Sequence, residues 1–127
     1  MRRTGRTTRM LKQALSKSFL HSRVYIIVYS FSHKRELEYI LNEISFIAFN
    51  KPYRKVASNI EFINYDSPML RVNWLNLNTS RIMGHTGAVV LYDHYTVESY
   101  CESYVSKVME GYKEYESLGS ISPYMED

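Results

Sequence analysis

A chain of 127 residues with 45% hydrophobic content can fill one core, and is short for two domains of ordinary size. No run approaches the roughly 18 apolar residues of a membrane span, and the basic N-terminus leads into a polar, charged stretch rather than a signal-peptide core, so the expectation is a cytoplasmic protein without a membrane partner. Cys101 has no second cysteine to pair with, and the four histidines (His21, His33, His85 and His94) lack zinc-finger spacing.

The net charge of +3 is unevenly spread. Arg2, Arg3, Arg6, Arg9, Lys12, Lys17, Arg23, Lys34 and Arg35 all precede the first acid, Glu36. From Asp93 onward, Glu98, Glu102, Glu110, Glu114, Glu116, Glu126 and Asp127 join Asp93 against only Lys107 and Lys113. A basic end attracts phosphate, whether of a nucleotide or of a nucleic-acid backbone, unless the acidic end neutralises it in the fold.

In chain order, Thr7 to Phe19 spaces Met10, Leu11, Ala14, Leu15 and Phe19 as one face of a helix, with Thr7 or Thr8 available near its start as a hydroxyl cap. Arg23–Phe31 is β-branched and aromatic almost throughout, as in a strand covered on both faces of a parallel sheet. Ser32 opens a second helix whose stripe is Leu37, Ile40, Leu41, Ile44 and Ile47, and the segment around Pro52 to Lys55 breaks it. Asn59–Asn64 and Met69–Leu77 read as strands joined by an Asp66-Ser67-Pro68 turn, forming a hairpin or lying side by side. The stretch Asn78–Gly87 reads as a loop, Ala88–Tyr95 as a buried strand carrying Asp93, and Thr96 to about Leu118 as the last helix. Alternating helices and strands predict an α/β fold of three layers, a largely parallel sheet flanked by helices, in one domain over 1–118 with an acidic tail at 119–127.

The segment before the first helix, Arg2-Arg3-Thr4-Gly5-Arg6-Thr7-Thr8, holds the parts of a phosphate cradle. Glycine admits close backbone approach, successive amides at a helix N-terminus form an anion nest, and a hydroxyl can bind Mg²⁺. Against the pattern G-x-x-x-x-G-K-S/T the first glycine is missing and Arg6 stands for lysine. The order of elements that follows, ending in a hydrophobic strand with a terminal aspartate, matches what such a core needs.

On these residues the chain resembles a truncated P-loop NTPase core, in particular the ATPase domain of phage terminase large subunits and related small phage P-loop proteins. Gly5-Arg6-Thr7-Thr8 matches the end of that family's R-x-x-G-K-T-T loop, with Arg3 and Thr4 a looser match. VYIIVYSFSHKRELEYIL, SNIEFIN and RIMGHTGAVVLYDHY resemble the later strands, helix and Walker B region. The resemblance implies phosphate contacts from Arg3, Thr4, Gly5, Arg6, Thr7 and Thr8, with Arg81 as a phosphate sensor. It also implies Mg²⁺ held by Thr7 and Asp93, and ATP as the nucleotide. His94 stands where the family has an acid to orient the attacking water, which implies slow or absent hydrolysis with His94 as the proton acceptor. Only Met1–Thr4 precede Gly5, too few for the family's central strand.

The alternative is a binding module without catalysis that engages nucleic acid or a phage or host protein through its basic N-terminal face. Lys51, Tyr53, Arg54 and Lys55 could serve nucleic acid or be an ordinary solvated loop, and Trp74 reads as a packing residue. Tyr100/Tyr104 and Tyr112/Tyr115 share a helix face suited to a core or to a partner.

Overall fold

The computed structural model describes residues 5–72, 77, 80–84 and 87–117, with side chains to residue 110 except 107 and 108. Arg3, Thr4, Trp74 and the tail at 119–127 lie outside the described residues, as do the side chains of Tyr112 and Tyr115. The chain forms two compact units, Met1–Val97 and Glu98–Asp127. Among the described residues no helix is long and apolar enough to cross a membrane.

The first unit is an α/β fold. Helix α1 (Gly5–Ser18) buries Leu11, Ala14 and Leu15 and turns Arg6, Arg9, Lys12 and Gln13 outward, as the spacing predicts. It starts two residues before Thr7, so Thr7 and Thr8 lie within its first turn rather than capping it, and Phe19 lies beyond its end and exposed. Strand β1 (Val24–Val28) is buried at every position because it is the centre of a parallel sheet ordered β2-β1-β5. Strand β2 (Ile60–Asn64) runs beside it in the register Val24↔Ile60, and β5 (Val89–Tyr92) lies on its other side in the register Val24↔Val89. Val24, Ile26 and Val28 point at α1 and at α2 (Phe31–Phe49), packing on Leu11, Leu15, Leu37 and Leu41. Tyr25 and Ile27, on the opposite face, pack under Leu70 and Ile82.

Helix α2 starts one residue earlier than the sequence suggests. Ser30, in extended conformation, caps it by accepting a hydrogen bond from the His33 N–H, which shortens β1 to Val28. The helix ends where Asn50 takes a left-handed conformation (φ 57°) and its N–H donates to the Phe46 carbonyl. The predicted stripe is only partly used: Leu37, Ile40 and Leu41 are buried, but Ile47 is 88% exposed and, with Phe19 at 59%, leaves apolar surface where α1 and α2 end.

The segment after Pro52 is helix α3 (Tyr53–Val56) rather than a basic loop. Tyr53 is 1% exposed, its hydroxyl donates to Glu38, and Arg54 lies over its ring at 5.2 Å, so its ring is not a surface for bases. Burial first, and then the Glu38 carboxylate, push the Tyr53 hydroxyl up to about 12.

The predicted pairing of the Asn59–Asn64 and Met69–Leu77 segments is corrected. Beyond β2, the Ser67 N–H donates to the Asn64 carbonyl at 3.1 Å and the Leu70 N–H to the Ser67 carbonyl at 3.1 Å, turning the chain back over the sheet. There β3 (Leu70–Arg71) pairs antiparallel with β4 (Arg81–Ile82), a strand inside the expected loop. Only Leu70 and Ile82 of this ribbon reach the core. Its two-residue strands carry too little alternation to be read from sequence. Gly84 (φ 80°) and Gly87 (φ 76°) then return the chain to β5 through backbone angles that residues with a Cβ rarely adopt.

Helix α4 (His94–Ser117) begins two residues before Thr96, immediately after Asp93, whose carbonyl accepts the Thr96 and Val97 N–H groups. In the second unit, Tyr100 and Tyr104 stack with ring centroids 6.3 Å apart.

Candidate functional site

Three helix N-termini meet at the carboxyl end of the parallel sheet. The first turn of α1 brings Thr7, the capped start of α2 brings His33, and the start of α4 brings His94 and Thr96. Between them lies Asp93, which leaves the end of β5 and is 1% exposed. The strand order also reverses at β1, with β2 on one side and β5 on the other. In open α/β sheets this is where crevices form.

The Thr7 hydroxyl donates to Asp93 Oδ1 at 2.9 Å, joining residues 86 positions apart. The other oxygen, Oδ2, is 3.0 Å from His33 Nε2. The tautomer of His33 follows from its second contact: the Tyr29 N–H donates to Nδ1 at 3.0 Å, so Nδ1 offers a lone pair and Nε2 carries the proton given to Asp93. His94 Nδ1 lies 3.4 Å from Asp93 Oδ1 and 3.5 Å from the Thr7 hydroxyl. Thr96 donates to the Ile27 carbonyl at 3.0 Å, tying the first turn of α4 to the central strand.

Burial alone would push the Asp93 carboxyl up. The hydrogen bonds from His33 and Thr7, aided by the electrostatic pull of the His94 and His33 rings, outweigh burial and hold it below its ordinary value. The positive ends of the three helices favour the same charge.

Beside this cluster a groove of about 400 Å³ opens between α1 and β5, lined in part by Arg6, Arg9, Gln13 and Tyr92. Gly5 and Arg6 are exposed, Thr7 is 3% exposed and Thr8 is half-buried. The first turn of α1 thus gathers Gly5, Arg6, Thr7 and Thr8, and Thr7 meets Asp93 and His94. Arg81 is not gathered there: it is exposed on β4, in register with Arg71, and among the described residues its side chain bonds to none of Thr7, Asp93 or His94.

No protein-family profile, curated protein or solved structure matches the chain.

Sequence reasoning passed over His33 as one scattered histidine. A usable signal was its place three residues after Ser30, the distance at which a capped first turn draws a side chain back towards the preceding strand. It also missed the three tyrosines Tyr29, Tyr65 and Tyr95, because their closeness depends on the parallel register. Among the described residues no group of three His, Cys, Asp or Glu side chains could hold a metal ion.

Proposed function

We propose that the chain binds a nucleoside triphosphate, ATP with Mg²⁺, in the manner of a reduced phage-type P-loop protein, and hydrolyses it slowly or not at all. The observation that carries this reading is the 2.9 Å contact between the Thr7 hydroxyl and the Asp93 carboxylate at the first turn of α1. A hydroxyl and a carboxylate are the hard oxygen donors that suit Mg²⁺, and the ion would neutralise phosphate charge there. The amides of the α1 first turn, together with Arg6, would hold phosphate oxygens at the positive end of the helix. Among the described residues, a Cβ at position 5 would meet nothing within 4 Å. His94 would accept the proton from water, and with an imidazole in place of a carboxylate the expected turnover is slow.

Titration with ATP and Mg²⁺ tests the reading. At 100 times its Kd the ligand should add about 2.7 kcal/mol of stability, seen as a rise of several degrees in Tm. Thr7→Val should remove the Mg²⁺-dependent part of that rise, whereas Thr7→Ser should keep it. No shift with wild-type protein would overturn the proposal.

A second reading, a module that binds nucleic acid or a partner protein, is favoured by the exposed Arg6, Arg9 and Lys12 on α1. It calls for salt-sensitive binding of DNA that does not depend on Thr7.

A further inference from the structure

The carboxyl tip of each parallel strand carries a tyrosine. Tyr29 follows β1 directly, Tyr65 follows β2 directly, and Tyr95 stands three residues beyond β5. Parallel strands end on the same side of a sheet, so these positions converge although 66 residues separate the first from the last. Tyr29 and Tyr65 stack nearly flat, with centroids 4.8 Å apart and planes at 10°. Tyr95 meets Tyr29 edge-on at 6.1 Å and meets His33 edge-on at 4.8 Å. Contacts therefore run without a break from Thr7 through Asp93 and His33 to Tyr95, Tyr29 and Tyr65.

Tyr29 and Tyr95 belong to neither of the apolar clusters built on Val24 to Val28, whereas Tyr65 packs against the edge of the cluster of Tyr25, Ile27, Leu70 and Ile82. Tyr95 is 36% exposed, while Tyr29 and Tyr65 are half-buried. An aromatic surface next to a phosphate-type site has the chemistry of a base-stacking platform, since every nucleobase offers a π-face.

We infer that the Tyr29, Tyr65 and Tyr95 cluster receives the base of a nucleotide whose phosphates lie at the first turn of α1. The inference rests on the nucleotide reading and adds the recognition of a base to that of phosphate. The same chemistry, a base joined to phosphate, occurs in a free nucleotide and in a single-stranded oligonucleotide.

Calorimetry with four probes in the presence of Mg²⁺ separates the possibilities: ATP, inorganic tripolyphosphate, adenosine and a short single-stranded oligodeoxynucleotide. The expected result is that ATP binds more tightly than tripolyphosphate and that Tyr95→Ala weakens ATP by about 5- to 150-fold. Tripolyphosphate affinity should be unchanged in Tyr95→Ala, and Tyr95→Phe, which keeps the ring, should bind ATP as wild type does. The oligonucleotide binding more tightly than ATP, with the same loss in Tyr95→Ala, would support the platform and assign it to a nucleic-acid strand. Equal wild-type affinity for ATP and tripolyphosphate would overturn the base platform and leave the phosphate site standing, and this comparison needs no variant to fold. Failure of both ATP and tripolyphosphate to bind would overturn the phosphate reading and this inference with it.

Discussion

Asp93→Ala should destabilise the protein by about 2–6 kcal/mol, since it leaves two buried donors unsatisfied at about 1–3 kcal/mol each. His33 is 2% exposed and Thr7 is 3% exposed, so the change takes the shared acceptor from an N–H and an O–H that water does not readily reach. For a domain with a typical total of about 5–15 kcal/mol, such a loss moves the urea midpoint strongly. Asp93→Asn keeps the shape and removes the charge, which makes pH informative. Because the folded protein holds the Asp93 carboxyl below its ordinary value, its contribution is fully present above the unfolded-state pKa. It is lost as pH falls through the lower folded value. The stability gap between wild type and Asp93→Asn should thus be constant near neutrality and close as pH drops below about 4. A gap that stayed constant through that range would show that the ionised carboxylate contributes nothing to the fold.

Ile26→Ala should cost about 2–5 kcal/mol. Ile26 is the middle residue of the central strand, fully buried, in register with Phe62 on β2 and Leu91 on β5, and packed in the cluster that includes Leu15 of α1 and Leu37 of α2. Truncation there leaves a cavity with structure on every side, which cannot collapse easily. Ile47→Ala removes the same atoms from a side chain that is 88% exposed, and should stay within about 0.5 kcal/mol of wild type. Chemical denaturation of the two variants side by side checks the contrast; equal losses would contradict the assignment of β1 as the core of the sheet.

The central strand and the amphipathic helices could be read from the sequence because each is long enough to display a period. Val24–Val28 is apolar at successive positions, which is what two covered faces require, and Leu11, Ala14 and Leu15 repeat at helical spacing. Strands β3 and β4, of two residues each, have no period to display. The start of α2 moved by one residue because the Ser30 cap decided it. Thr7 and Asp93 could be picked out because each stands at the end of a strongly patterned element, and the structure joins them. His33 and the three tyrosines could not, since what makes them neighbours is the order β2-β1-β5 and not anything near them in the chain.

That strand order has a consequence for biosynthesis. The first residue of β1 is paired with Ile60 on one side and with Val89 on the other, so one flank of the most apolar strand stays bare until the chain has grown past Tyr92. Thr7 and His33 are made early and wait for Asp93, which arrives directly after the strand that closes the sheet. A nascent chain halted before residue 89 would carry an open apolar edge and no carboxylate, making it prone to clumping and a natural client for chaperones.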